Sequence, residues 1–413
     1  MRRRLTGFAA ITVLALLMPV AGAGARAPSC AAMKAWLGQG GSAGGLLVVD
    51  AETGEVACRK VASRRRSLAS NMKLFTTSTA LARLGPDARI ATKVMSDGAL
   101  DENGVLRGSL YLQGGGDPAL GTPAFYERFR GGLGTNLFSL KSQIRSAGIE
   151  AVTGRVYADD TLFDRLRGVA DSGFGVSPYI GPLSGLAFNS GYSGPGGRSF
   201  ASDPAKTAAA TLARALRAAG VRVPARPALR ATPARARRVA VVRSPTVSQL
   251  ADATNVPSNN FYAETLVKLL GARFGSGGST AAGAAVVAGF ARGLGSGVHA
   301  VDGSGLTRSN RASPAQVVAL LRAMRASEAG DDFIQSLALT GREGTVASRM
   351  DGTAAEGRCR TKTGTLTGVS ALSGYCFNRS GRVMAFSILM NGVSNLSQAH
   401  DGQDRIAAAV ASY

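Results

Sequence analysis

Three short stretches of the chain hold the residue types that acyl transfer needs when no histidine takes part. In Ser70-Asn71-Met72-Lys73 a hydroxyl and an amine lie three residues apart, and helical spacing puts both on one face, one turn from each other. An amine so placed can take the hydroxyl proton and turn a weak alcohol into a nucleophile. The second stretch is Ser258-Asn259-Asn260 and the third is Lys362-Thr363-Gly364-Thr365. They offer a second hydroxyl for proton relay, an amide that can hold a peptide backbone, and a second cation. A lone Ser-x-x-Lys arises by chance in many proteins. Here Ser-x-x-Lys, Ser-x-Asn and Lys-Thr-Gly each occur once in 413 residues, in that order. His299 and His400 lack any Gly-x-Ser-x-Gly or other partner sequence and read as bystanders.

The elements that must carry these groups can be read from periodicity. Ser70 opens a helical pattern through Met72, Leu74, Phe75, Ala80, Leu81 and Leu84, closed by Gly85-Pro86. At a helix N-terminus, unpaired N–H groups favour a developing negative charge, although an ordinary serine cap accounts for Ser70 taken by itself. Residues 46–50 and 56–58 read as a β-hairpin around the turn Glu52-Thr53-Gly54. After Asn255-Val256-Pro257 and the second motif, a helix carries Phe261, Leu266, Leu269 and Leu270 and ends at Gly271. A further helix follows Pro314. Strand-like runs follow at 359–366, 370–378 and 382–391, then a last helix with Ile406, Ala407 and Val410 on one side. Between the first two motifs the texture changes. Runs at 109–113 and 154–157 alternate with Gly/Pro loops, one helix spans 204–219, and the Pro/Ala/Arg-rich stretch 224–238 reads as exposed linker. The expected fold is α+β, an antiparallel sheet flanked by helices over residues 28–92 and 246–413, split by an inserted smaller domain over 93–245.

Composition narrows the setting. A hydrophobic content of 45% supplies ample material for a core. The net charge of +22 resembles a nucleic-acid signature, but its distribution argues otherwise: of 48 basic residues only eight are lysine, and the arginines are scattered apart from 64–66 and 226–238. We therefore expect no nucleic-acid partner, and at most a loose association with an anionic cell envelope. Arg2-Arg3-Arg4, an apolar stretch over 5–20 and small residues over 21–25 form a secretory leader, here taken as residues 1–25, with a retained anchor as the alternative. The mature protein is expected to be exported, to a periplasm, cell wall or medium, with no later transmembrane anchor. Four cysteines in an exported chain suggest two disulfides. Three pairings exist; the two strand-like runs favour Cys359 with Cys376, leaving Cys30 with Cys58. No Cys-x-x-Cys is present, so no metal is expected.

The three motifs together are those of penicillin-binding proteins and serine β-lactamases. The chain resembles more closely the D-alanyl-D-alanine carboxypeptidase/endopeptidase family of low-molecular-mass penicillin-binding proteins (class C, peptidase family S13). Phrases typical of it are SNMKLFTT from Ser70, GGGDPAL from Gly114, SNNFYAETL from Ser258, DGSGL from Asp302 and KTGTLTGVSALSG from Lys362. The resemblance implies a penicillin-binding-protein/serine β-lactamase-like transpeptidase domain and a DD-peptidase without cofactor, acting on peptidoglycan stem peptides and acylated by β-lactams. It implies that Ser70 attacks the penultimate D-Ala carbonyl, with Lys73 as base and Ser258 relaying a proton to the leaving amine. Asn260 then holds the substrate amide and Lys73, and Lys362, Thr363, Gly364 and Thr365 line the site of the terminal carboxylate. Backbone N–H groups of Ser70 and Thr365 make the oxyanion hole. Lys73 must be neutral part of the time, and burial beside Lys362 is the expected cause. Asp159, or Asp160 beside it, matches a position that in relatives helps to hold a diaminopimelyl amino group. Arg308 is a further substrate contact, and Asp117 is structural. The competing readings are a serine β-lactamase or esterase of the same superfamily, and a non-catalytic basic envelope-binding protein.

Overall fold

The computed structural model describes residues 29–378 and 381–413, so the leader expected over residues 1–25 lies outside the described residues. Helix α1 (Cys30–Trp36) precedes the hairpin of β1 (Ala43–Asp50) and β2 (Val56–Lys60), and α2 (Met72–Leu84) carries Lys73. The next segment contributes β3 (Arg89–Ser96), β4 (Leu110–Gln113), α3 (Pro123–Phe129), α4 (Phe138–Ser146) and β5 (Val156–Asp159). It continues with α5 (Pro204–Ala218), β6 (Ala228–Leu229) and β7 (Arg237–Thr246). Helices α6 (Val247–Asn255), α7 (Asn260–Phe274), α8 (Thr280–Gly293), α9 (Pro314–Arg325) and α10 (Gly330–Gln335) follow. The last elements are β8 (Ala338–Leu339), β9 (Cys359–Leu366), β10 (Val369–Phe377), β11 (Val383–Asn391) and α11 (Leu396–Ala411).

Six strands form an antiparallel sheet in the order β8-β9-β10-β11-β1-β2. The early hairpin is joined to the late strands through β1 and β11, with Val48 opposite Phe386. The sheet is buried on both faces. On β10, Ala371 and Tyr375 face a cluster shared with α2, α7 and α9, whereas Leu372 and Cys376 face one shared with α1 and α11. Side chains alternate across a strand, so two apolar faces produce a continuous apolar run such as Val383-Met384-Ala385-Phe386.

A second sheet has the order β6-β5-β4-β3-β7. Strand β3 pairs antiparallel with β4 and β7, while β5 runs parallel to β4 and β6. Because β3 and β7 are neighbours, the chain enters and leaves this second sheet at one place. Val94, Leu112 and Ala158 of this sheet pack against Leu140 and Ile144 of α4 and Leu212 and Leu216 of α5.

Several local expectations are corrected. Helices α3 and α4 occupy stretches expected to be loop. The Arg-rich stretch is not all linker: β6 lies in it and β7 begins at its end, with Arg237 and Arg238 exposed on β7, where edge charges discourage pairing with other chains. Helix α7 does not stop at Gly271 but runs to Phe274. A Cβ at Gly271 would come within 2.7 Å of the Gly277 carbonyl and the Gly283 amide, so this glycine serves a close crossing rather than an ending.

The disulfides are Cys30–Cys58 and Cys359–Cys376, the second joining residues directly opposite each other on β9 and β10. Replacing Cys359 and Cys376 with alanine is expected to lower stability by about 2–4 kcal/mol, the usual worth of such a crosslink. The urea midpoint reports it; an unchanged midpoint with an unchanged slope would show that the bridge adds nothing.

Candidate active site

Helix α2 is buried from Met72 to Leu81, so its polar residues have no solvent face. Their hydroxyls are satisfied internally: Thr77 Oγ1 donates to the Lys73 carbonyl (2.7 Å), Thr79 Oγ1 to that of Phe75 (2.7 Å) and Thr76 Oγ1 to that of Gly303 (2.7 Å). Ser70 sits in the single 3-10 turn Ala69–Asn71 that leads into the helix. Ala69, just before it, has a φ of 45°, a left-handed conformation that costs a non-glycine residue about 1–3 kcal/mol. Ser258 in the second motif is left-handed as well, with a φ of 58°. Two strained residues at two of the three motifs mean that the surrounding packing dictates the backbone there.

The three motifs converge. Lys73 Nζ lies 3.0 Å from Ser70 Oγ, 2.7 Å from Asn260 Oδ1 and 2.7 Å from the Ser304 carbonyl oxygen. The orientation of the Asn260 amide is set by its Nδ2, which donates to the Tyr179 carbonyl at 3.1 Å. Asn71 Nδ2 donates to the Lys362 carbonyl at 2.9 Å, tying the nucleophile turn to β9. Gly364 passes directly over that turn, for a Cβ there would lie 2.8 Å from the Leu68 carbonyl and 3.0 Å from the Ser70 nitrogen. Gly364→Val is therefore expected to push β9 off Ser70 and to slow acylation by about 100-fold, the scale of an ångström-sized misplacement. Stopped-flow acylation would check it, with a wild-type rate counting against the close fit.

A cleft of about 710 Å3 opens onto these groups, lined by Ser70, Ser258, Asn260, Thr363, Gly364, Thr365 and Arg308. Arg308 donates to the Thr367 carbonyl beyond the third motif. Thr363 shares a 2.6 Å hydroxyl–hydroxyl hydrogen bond with Thr345, another lining residue. The inserted segment supplies one wall through Asp171, Ser177 and Tyr179, the last 72% exposed. Neither that wall nor Thr345 was picked out from sequence, because loop residues carry no periodic signal.

Burial, the larger part of the expected cause, holds the Lys73 amine down to about 7, against the opposing pull of the Asp302 and Glu264 carboxylates. Burial first and the neighbouring Lys73 second hold Lys362 well below the usual lysine range. Glu264 was not singled out from sequence, although its place four residues after Asn260 on a helix was a usable signal.

Asp159 is not brought to this cleft. It lines a separate cavity of about 290 Å3 with Lys93, Gln113 and Arg273. Its carboxylate accepts from Thr161 N (3.1 Å), Thr161 Oγ1 (2.6 Å), Thr232 N (2.9 Å) and Gln113 Nε2 (3.4 Å). Asp160 pairs with Arg167 at 2.9 Å and accepts from Ser184. Both acids thus brace the insert. Asp117 is buried, accepting from Ala119 N and Thr135 Oγ1. His299 and His400 do not line the cleft.

Comparison with known proteins adds the family. The profile described as the D-Ala-D-Ala carboxypeptidase 3 (S13) family matches residues 32–196 and 193–413. The D-alanyl-D-alanine carboxypeptidase of Actinomadura sp. (strain R39) is 30% identical, over 90% of this chain and 82% of its own length. Penicillin binding protein 4 of Haemophilus influenzae superposes with a TM-score of 0.77 at 20% identity, covering 94% of this chain and all of that one. A penicillin G-acylated predatory endopeptidase of Bdellovibrio bacteriovorus shares the fold at a TM-score of 0.53 and 17% identity, over 88% and 90% of the two chains.

Proposed function

The chain belongs to the D-Ala-D-Ala carboxypeptidase 3 (S13) family and is a serine DD-peptidase, and from that premise we propose that it cleaves D-Ala-D-Ala termini of peptidoglycan stem peptides through a Ser70 acyl-enzyme. The observation that carries this reading is the set of three oxygens around Lys73 Nζ. A neutral amine has two N–H bonds and one lone pair. The two shorter contacts, to Asn260 Oδ1 and the Ser304 carbonyl, take the N–H bonds. The lone pair is left for the Ser70 hydroxyl proton.

The steps then balance. Ser70 Oγ bonds to the penultimate D-Ala carbonyl carbon as its proton passes to Lys73, and the oxyanion is received by the Ser70 and Thr365 N–H groups. Collapse breaks the C–N bond, and the proton moves from Lys73 through Ser258 to the departing amine. Water, deprotonated by Lys73, then hydrolyses the ester. Thr363 and Thr365, which line the cleft, receive the terminal carboxylate, or the carboxylate of a β-lactam that acylates the same serine, with Lys362 buried behind them and its Nζ donating to the Thr363 carbonyl at 3.0 Å. Arg308 stands at the rim of the cleft as a further contact for the stem peptide.

Action on peptidoglycan implies that the mature chain works outside the cytoplasm, which agrees with the basic, apolar and small-residue leader pattern. Among the described residues no helix is long and apolar enough to cross a membrane. The test is a time course with fluorescent penicillin, alongside D-Ala release from a D-Ala-D-Ala peptide. Stable stoichiometric labelling with D-Ala release supports a DD-peptidase. Label lost within seconds without D-Ala release supports a β-lactamase, and no label at all sinks the catalytic reading.

A further inference from the structure

We propose that Glu264 is a positioning residue for acyl transfer, holding the Gly303-Ser304 turn, and through it the Lys73 amine, in place beside Ser70. The inference rests on the reading of Ser70 and Lys73 given above. Glu264 lies on α7 one turn after Asn260, on the same helix face, and is fully buried. Its Oε1 accepts from the Gly303 nitrogen (3.0 Å) and the Ser304 nitrogen (2.7 Å). The carbonyl of that same Ser304 accepts from Lys73 Nζ at 2.7 Å. From the opposite side Thr76 Oγ1 grips the Gly303 carbonyl. The turn is thus clamped between α7 and α2. It also presses on the nucleophile: Gly305 has a φ of +86°, and a Cβ there would strike the Ala69 carbonyl. Any drift of the turn moves both the base and the backbone that presents Ser70.

The second Glu264 oxygen, Oε2, is buried and has no hydrogen-bond partner among the described residues. The charged groups facing Glu264 come from each element packed on it. Asp302 lies on the turn, its own oxygens taken by Gly305 N, Thr307 N and Asn310 Nδ2. Lys73 faces it from α2 and itself lies beside Lys362 of β9. Lys268 follows one turn later on α7, held by Asp164 at 2.5 Å. Burial first and Asp302 second push the Glu264 carboxyl up to about 8.

The test is the pH profile of penicillin acylation for the full chain, comparing wild type, Glu264→Gln and Glu264→Ala. Glutamine keeps an oxygen for the two N–H groups, so its plateau is expected to stay within about 3- to 10-fold of wild type with the acid limb unmoved, because a carboxyl near 8 is already protonated where Lys73 titrates near 7. Alanine releases the turn and should cost about 100-fold at every pH. A Glu264→Ala rate equal to that of Glu264→Gln overturns the inference. Thr76→Val, which frees the Gly303 carbonyl on the other side of the turn, decides the matter if the Glu264 variants fail to fold: a loss of about 10-fold supports the clamp, a wild-type rate ends it. Labelling of Ser70→Ala, by contrast, would overturn the acyl-enzyme reading itself.

Discussion

Ser70→Ala is expected to take no covalent penicillin and to release D-Ala about 10^6-fold more slowly than wild type, the scale seen when a serine nucleophile is removed from subtilisin. The hydroxyl is the only atom lost, and its one hydrogen bond is to Lys73 Nζ. Lys73 keeps Asn260 and Ser304, Gly364 still lies over the turn, and the proposed oxyanion donors are backbone groups. The fold should therefore survive with a melting temperature within a few degrees of wild type. Intact-protein mass spectrometry after penicillin treatment reads the outcome directly. A penicilloyl adduct on Ser70→Ala at wild-type stoichiometry would remove Ser70 from its role.

The second large effect concerns Lys73. Lys73→Ala is expected to slow acylation by about 10^3- to 10^4-fold, since general-base assistance is worth 10^2 to 10^4 and the loss also frees Asn260 and Ser304. In wild type the sign of the pH dependence follows from an amine held near 7. Below that value Lys73 is protonated and has no lone pair for the serine, so the acylation rate should fall about tenfold per pH unit on the acid side. The same depression acts on stability. Between about 7 and the ordinary lysine value near 10.5 the unfolded chain binds the extra proton and the folded chain does not, so this group makes stability rise with pH across that window. An acid limb centred near pH 5, or a flat profile, would reassign the base.

The site was legible from sequence to the degree that its chemistry is local. Ser70 and Lys73 are one helical turn apart, Ser258 and Asn260 flank a helix start, and Lys362 to Thr365 lie on a strand, so each motif reports its own geometry. The strands of the large sheet were legible because two buried faces make unbroken apolar runs. What acts across space was not. Glu264 and Asp302 lie on separate elements, and apart from the one-turn spacing of Glu264 from Asn260 the linear chain does not say that they lie near Lys73. Asp159 shows the converse: an acid in a suggestive stretch proves to be occupied by Thr161 and Thr232. Helix α8 escaped because Thr-Ala-Ala-Gly-Ala-Ala has little contrast between its faces, and it packs through small residues.

The place of β1 in the large sheet has a kinetic consequence. Its partner on one side is β2, a near neighbour in sequence, but on the other side it is β11, reached only after the whole inserted segment has been made. Contacts between such distant stretches carry a large loop-closure cost and form late. Ser70 follows the early strands and Lys362 lies on a late one, so the two come together only when that seam closes. Penicillin reactivity during refolding should consequently lag behind the recovery of far-ultraviolet circular dichroism, making acylation a clock for the last step of assembly.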